Sequence, residues 1–413
     1  MKSFDCLIVG AGHGGAQAAL ALRQQKFTGT IGLRGEERDL PYERPALSKE
    51  YLSGSKTFDR MLLRNEAGWQ SRDVTLLPGT RIVAVEPNEH RVTAIAGEQF
   101  GYRHMIWATG GRPRRLTCPG HDLAGVHYVR TREDIDGLLA DLPQAQQIVV
   151  IGGGYIGLEA AAVLRKLGKA ITLVEMADRV LVRVAAEPLS RFLEAEHRSH
   201  GVDIRLSTVV AGLTGDGSRV RGVELGDGTV VPADLVIVGI GILPAVDPLV
   251  AAGGARADGV EVDEFCRTTL PDIFAIGDCS LHNNVFADGA TVRLESVQNA
   301  NDQAIVAAKY ISGLPSPYAA VPWFWSSQYD IRLQTVGLAR DYDQVVVRGD
   351  PAERKFTLAY LRLGRVQAFD CVNSTKDYVE GRALVVNRAA LCAAKLADPS
   401  ITLKSLSAAA ASV

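Results

Sequence analysis

Short apolar runs and small-residue stretches alternate along this chain, and the alternation occurs twice. Residues 7–9 (LIV) and 148–151 (IVVI) are the compact apolar runs that a fully buried parallel strand requires. Each run passes through a glycine-rich turn into a segment dominated by Ala and Leu, which predicts a helix. A second strand follows in each copy, over residues 30–33 and 170–174. Set against each other, residues 7–23 (LIVGAGHGGAQAALALR) and 149–165 (VVIGGGYIGLEAAAVLR) agree at a constant offset of 142. Gly10 meets Gly152, Gly12 meets Gly154, Gly15 meets Gly157, and Ala18, Ala19, Leu22 and Arg23 meet Ala160, Ala161, Leu164 and Arg165.

The rest of the pattern completes two interleaved units. Residues 105–109 form an apolar strand ending at Gly110 and Gly111, and residues 235–238 are its counterpart before Gly239 and Gly241. Pro113, Pro119 and Gly120 mark one crossover, and residues 243–248 mark the return. Beyond about residue 325 the period shortens to that of strands, at 344–348, 357–363 and 366–372. A late helix is expected over 387–396, and the small-residue tail 405–413 is expected to fray.

Glycines at this spacing have a chemical purpose. The first permits a tight turn, the second lets backbone approach a pyrophosphate, and the third lets helix and strand pack closely. The phosphates then rest on unpaired N–H groups where the helix dipole favours negative charge. An acidic residue about 20 positions on accepts a hydrogen bond from a ribose. Glu36 lies 21 after Gly15, and Glu175 lies 18 after Gly157. One such turn is weak evidence, because glycines commonly join strand to helix. Two copies, each with its acidic end, predict two dinucleotide sites.

Composition narrows the class further. The 413 residues are 47% hydrophobic and 22% charged, the balance of a globular chain of two or three domains. Lys+Arg 45 against Asp+Glu 47 leaves no global basic field for nucleic acid or an anionic membrane. No run approaches the roughly 20 apolar residues of a membrane helix. The six cysteines are scattered with no Cys-x-x-Cys, so metal and dithiol sites lack their spacing. They read as reduced thiols of a cytoplasmic protein.

Four further segments carry a family resemblance. Residues 269–278 (TLPDIFAIGD) resemble the second FAD fingerprint of two-dinucleotide flavoproteins. Residues 40–52 (LPYERPALSKEYL), 294–300 (LESVQNA) and 322–328 (PWFWSSQ) resemble the NADH-dependent ferredoxin and rubredoxin reductases, which serve cytochromes P450 and aromatic-ring dioxygenases. The similarity runs from about residue 3 to 395. It implies an α/β, glutathione reductase-like fold: two Rossmann-like dinucleotide-binding domains plus a C-terminal α/β domain. FAD would take residues 1–112 and 245–325, NAD(H) residues 113–244, and the C-terminal domain residues 326–413. Position by position, the resemblance gives Gly10, Gly12, Gly14, Gly15, Glu36, Arg44, Lys49, Ile82, Arg130, Asp278, Val297 and Trp325 to FAD. It gives Gly152, Gly154, Ile156, Gly157, Glu159, Glu175 and Gly241 to NAD. Lys49 and Glu159 are the implied catalytic ion pair beside the flavin, with no metal.

The implied activity is NADH:ferredoxin oxidoreduction through FAD, with a [2Fe–2S] ferredoxin or a rubredoxin as acceptor and a monomer or weak homodimer as the unit. Related oxidases, peroxidases and disulfide reductases need a redox cysteine after the first ribose-binding strand, and residues 36–60 contain none. A flavoprotein that senses NADH and acts through interactions, like apoptosis-inducing factor, is the non-enzymatic alternative. Three residues depart from the family: Ser327 stands where an aspartate is usual, Trp107 replaces a small aliphatic residue, and His13 sits inside the first glycine turn. On a central strand Trp107 reads as core. Taken alone, Asp278 reads as a helix cap, Arg44 and Lys49 as solvated charges, and Trp323 with Trp325 as packing. Arg112, Arg114 and Arg115 read as a solvated turn or as a docking patch for an acidic partner.

Overall fold

An apolar strand with parallel partners on both sides is removed from water on both faces, and this is how the chain begins. In the computed structural model, which describes residues 1–256 and 258–410, Lys2–Val9 lies between Ile31–Arg34 and Gln99–Trp107, parallel to both. Cys6, Leu7 and Ile8 have no exposed surface. The chain divides into two compact units: residues 1–44, 56–112 and 242–320, and residues 45–55, 113–241 and 321–413.

In the first unit, among the described residues, the sheet runs in the order Val74–Leu77, Ile31–Arg34, Lys2–Val9, Gln99–Trp107, Arg91–Ala94, Ile82–Glu86. Ile273–Ala275 adds to Gln99–Trp107 in parallel. Helix His13–Gln24 buries Ala16, Ala18, Ala19, Ala21 and Leu22 in a core shared with Ala304, Ala307 and Ala308 of helix Val297–Ile311. Small side chains on both helices allow that close approach. Trp107 is 1% exposed and its indole N–H donates to the Ala245 carbonyl at 3.1 Å, so it is core, as its strand position implies.

The second unit repeats the plan. Its parallel sheet runs Asp203–Arg205, Ala170–Val174, Gln147–Ile151, Leu235–Val238, Val126–Tyr128, with helix Tyr155–Lys166 after the central strand. In both units the chain leaves the central strand to one side and returns on the other. That reversal is the point where doubly wound sheets open a crevice for ligands. The same unit contains an antiparallel sheet in the order Trp323–Gln328, Ile331–Gly337, Arg365–Val372, Lys355–Arg362, Gln344–Asp350.

Two expectations for the end of the chain are corrected. The late helix is Thr375–Val386 rather than 387–396; Arg388 turns the chain with φ +45°, and only Ala393–Ala397 resumes as a short helix. Gly381 disguises this helix in the sequence, yet it sits where a Cβ would come 2.8 Å from the Phe369 ring. Packing on the sheet overrides the poor local propensity. The tail does not fray at 405: Leu403–Ala410 is helical, anchored by buried Leu403 and Leu406. Residues 411–413 lie outside the described residues.

Candidate functional site

The two glycine turns have the same backbone. Gly10 and Gly152 take φ +113° and +108°, and a Cβ on either would lie 2.2 or 2.4 Å from a carbonyl oxygen, of Ala108 and Gly239 respectively. Gly15 and Gly157 press against the turn itself, where a Cβ would come 1.8 and 2.1 Å from the Gly10 and Gly152 oxygens. Gly10 N–H donates to Arg34 O and Gly152 N–H to Val174 O, both at 2.8 Å. Gly12 and Gly154 are the N-caps of their helices, and neither helix start has a side-chain cap. First-turn N–H groups without an intrahelical partner therefore face the space above each turn, the donor set a pyrophosphate takes.

Around the first turn, Arg44 brings its Nε to 3.7 Å from the place a Gly12 Cβ would occupy. Glu37 pairs with the Arg44 guanidinium, and the Tyr42 hydroxyl accepts from Arg44 Nη1 at 3.1 Å. A held cation beside uncapped amides fits the diphosphate of FAD. Glu36 follows strand Ile31–Arg34 with its side chain exposed, open to a ribose. Asp278 lies half-buried in the turn Gly277–Cys279, and Val297 begins its helix behind the Ser296 cap. Gly14 packs on Ile276 and Ala300, at 3.4 and 3.5 Å from its Cβ position, so its smallness serves helix packing. The Ile82 side chain is buried with Val92 and Ala94, which leaves its backbone for any ligand contact.

Around the second turn, Glu175 accepts from Gly153 N at 2.6 Å and from Ala177 N at 2.8 Å. Arg179 is engaged with the Ala185 and Val182 carbonyls and Ser190 Oγ. Gly241 has φ +98° with the Arg183 guanidinium 3.5 Å from its Cβ position, and Ile156 is exposed. These groups suit a second dinucleotide.

Lys49 and Glu159 meet in the second unit, 2.6 Å apart and mostly buried. Lys49 rides on a single π-helical turn, Leu47–Tyr51, a distortion frequent at functional sites. Ser48 Oγ donates to the same carboxylate oxygen at 2.7 Å, and Ser326 Oγ donates to the other at 2.7 Å. Neither serine was among the residues the sequence singled out; Ser48 lies in the segment 40–52 and Ser326 in 322–328, two of the segments that carry the family resemblance. Arg130 precedes helix Arg132–Asp141, which is capped by Thr131. Trp323 and Trp325 share a face, with ring centroids 5.6 Å apart, while Ser327, two residues beyond Trp325, is exposed. All six cysteines are free; burial pushes the thiols of Cys6, Cys266, Cys279 and Cys371 upward.

Two glycine turns of one geometry, each with its own acidic residue, define a two-dinucleotide oxidoreductase. The family described as "Pyridine nucleotide-disulphide oxidoreductase" matches residues 4–304, and "Reductase C-terminal" matches residues 323–407. The chain belongs to this family, and within it to the ferredoxin reductases. It is 58% identical over 410 residues to the ferredoxin reductase subunit of a 5,5'-dehydrodivanillate O-demethylase from a Sphingobium species, covering 99% of this chain and all of that one. It is 57% identical to a ferredoxin–NAD(P)+ reductase from a Sphingomonas species, covering 97% of each. A solved covalent complex of putidaredoxin reductase with putidaredoxin matches at TM-score 0.95 and 38% identity, covering 100% of this chain and 99% of that chain. Among the described residues no helix is long and apolar enough to cross a membrane.

Proposed function

We propose that this protein is an FAD-dependent NADH:ferredoxin oxidoreductase that delivers electrons to a [2Fe–2S] ferredoxin serving a cytochrome P450 or a ring-hydroxylating dioxygenase. The FAD this chain would hold would supply the chemistry of accepting a hydride from NADH and passing its two electrons on singly. Residues 1–112 and 245–325 hold FAD: the first glycine turn and Arg44 take the diphosphate, Glu36 the adenosine ribose and Asp278 the ribityl chain. Residues 113–244 hold NADH, with the diphosphate on the second turn and the ribose on Glu175. Lys49, oriented by Glu159, offers positive charge where reduced flavin accumulates negative charge. Trp325 supplies an aromatic face. The free cysteines suit the reducing cytoplasm.

The observation that carries this reading is the second glycine turn's identity with the first, down to the uncapped helix start. One site holds the resident flavin and the other receives a diffusing nucleotide. Disulfide chemistry is disfavoured because four of the six thiols are buried and residues 36–60 have none.

The test is steady-state reduction of a ferredoxin from the same cell by NADH, with cytochrome c as terminal reporter and a rubredoxin in parallel. Turnover with ferredoxin faster than with oxygen is expected. No acceptance by either protein would defeat the assignment. Lys49→Ala should keep FAD bound while slowing flavin reduction by NADH about tenfold or more in stopped flow.

A further inference from the structure

Behind Ser326 the hydrogen bonds continue into the protein. Gln328 Nε2 lies 3.2 Å from Ser326 Oγ, Gln328 Oε1 lies 2.9 Å from His197 Nε2, and His197 Nδ1 lies 3.2 Å from the Tyr329 hydroxyl. Ser326, Gln328 and His197 are 1%, 2% and 0% exposed. With Lys49, Ser48 and Glu159 they form one connected polar chain inside the second unit.

The direction of every bond follows by elimination. A carboxylate has no proton to give, so Ser326 directs its one hydrogen to Glu159 and can only accept from Gln328. The Gln328 amide therefore turns its NH2 toward Ser326 and its oxygen toward His197. Nε2 of His197 must then carry a proton, and Nδ1 accepts the proton of Tyr329. Burial pushes His197 down to about 4, so the neutral ring that this tautomer requires is the form present at neutral pH. All donors point toward Glu159, an order in which each bond polarises the next.

We propose that Ser326, oriented by Gln328 and His197, is a positioning residue for hydride transfer that pins Glu159 and, through it, the ammonium of Lys49. A carboxylate held at one oxygen can swing about its terminal torsion; one held at both cannot. Lys49 has a long stem with high rotamer freedom, so its place depends on a fixed acceptor. Without the Ser326 hydroxyl, Oε1 is left buried and short of a donor, and rotation to recover one drags the lysine with it. Ser327, exposed between Ser326 and Gln328, takes no part, so the family's aspartate at that position is not needed for this chain of bonds. The inference rests on the proposed function and deepens it.

The experiment uses holoenzyme in three variants. Ser326→Ala should lower the limiting rate of flavin reduction by NADH about tenfold, the worth of one charge-assisted hydrogen bond, with the apparent Kd for NADH within about twofold. Ser326→Thr keeps the hydroxyl and should restore most of the rate. Gln328→Leu, which leaves Glu159 untouched, should slow it in the same direction. A second readout follows Lys49 itself: acetic anhydride labelling, quantified on its peptide, should rise several-fold in Ser326→Ala and return to normal in Ser326→Thr. A wild-type rate in Ser326→Ala overturns the proposal, as does a lost rate with unchanged Lys49 labelling. If Ser326→Thr fails as badly as Ser326→Ala, Gln328→Leu decides, and an unaffected rate there overturns it. Failure of the wild type to be reduced by NADH overturns the function, while Lys49 labelling still reports the positioning.

Discussion

Gly153 donates its backbone N–H to the Glu175 carboxylate at 2.6 Å, tying the end of one strand to the middle of the glycine turn after its neighbour. Ala177 N–H holds the other oxygen at 2.8 Å. The carboxylate is thus held at both oxygens by backbone, with acceptor capacity left for a ribose diol. It is a poor neighbour for a phosphate.

From this follows a preference for NADH over NADPH. Glu175 would bond a 2′-hydroxyl and repel a 2′-phosphate, which NADP sites meet with Arg instead. Of the two nearby cations in sequence, Arg179 is committed to Ala185, Val182 and Ser190, whereas Arg183 places its guanidinium 3.5 Å from the Gly241 Cβ position, so some NADPH use is expected to remain. Steady-state kcat/KM should favour NADH by about tenfold or more, the scale of one charge contact. Glu175→Gln should narrow the ratio. A higher value for NADPH in the wild type would refute the argument.

Arg44 is expected to govern flavin retention. Its guanidinium stands beside the uncapped turn, held by Glu37 and Tyr42. Arg44→Ala removes a fixed cation from a diphosphate and should weaken FAD binding by about one to two powers of ten. Fluorescence titration of apoprotein with FAD and with FMN checks this. FMN, which lacks the adenosine diphosphate arm, should bind poorly to both forms, and equal FMN and FAD affinities would contradict the site.

The glycine turns were legible in the sequence because their chemistry is local: a positive φ at Gly10 or contact at Gly15 leaves only one residue type. The duplication then predicted a strand–turn–helix–strand unit twice, and both are present, each with its two strands paired in parallel. The Lys49–Glu159 pair was legible only through the family resemblance, and the two serines that hold Glu159 were not legible at all. Ser48, Glu159 and Ser326 are brought together by tertiary packing, and a serine on a strand or turn carries no periodic signature. His197 was invisible for the same reason: on an amphipathic helix it reads as one polar residue among many, yet it is wholly buried. Helix Thr375–Val386 was missed because Gly381 and the valines lower its local propensity, while contact with Phe369 decides the outcome.

A buried carboxyl should make stability depend on pH. Burial pushes Asp370 up to about 7, against which the hydrogen bond from Tyr360 acts only partly. Its pKa is higher folded than unfolded, so the protonated form favours the native state. Stability is therefore full at acid pH, falls as pH rises from about 4 toward 7, and levels off above. Between pH 5 and 9 the loss is about 2–3 kcal/mol at most. Asp370→Asn keeps an acceptor for Tyr360 and removes the charge. Thermal melts should show the variant gaining on the wild type as pH rises; a constant difference would argue that Asp370 does not titrate in this range.

Ferredoxin docking should respond to salt through a smaller set of arginines than the sequence offers. The candidates were Arg112, Arg114, Arg115, Arg332 and Arg340. Arg112 is paired with Asp247, which Arg81 shares at 3.7 Å, and Arg340 with Asp341 at 3.3 Å, so part of the charge each presents is offset. Arg114, Arg115 and Arg332 are exposed, and Arg115 also lies 4.7 Å over the Tyr128 ring. With a net charge of −2, any steering of an acidic partner must come from local patches. Reduction of ferredoxin should slow as ionic strength passes about 0.1 M, where screening acts within about 10 Å. Ferricyanide reduction, which isolates hydride transfer, should change much less. Arg114→Glu with Arg115→Glu should lower kcat/KM for ferredoxin and flatten its salt dependence, whereas Arg112→Gln should do less, since Asp247 offsets part of its charge. Equal salt responses in the two assays would show that docking is not charge-steered. A large effect confined to Arg112→Gln would show that the Asp247 pair opens on binding, and that the partly offset charge is the one the ferredoxin reads.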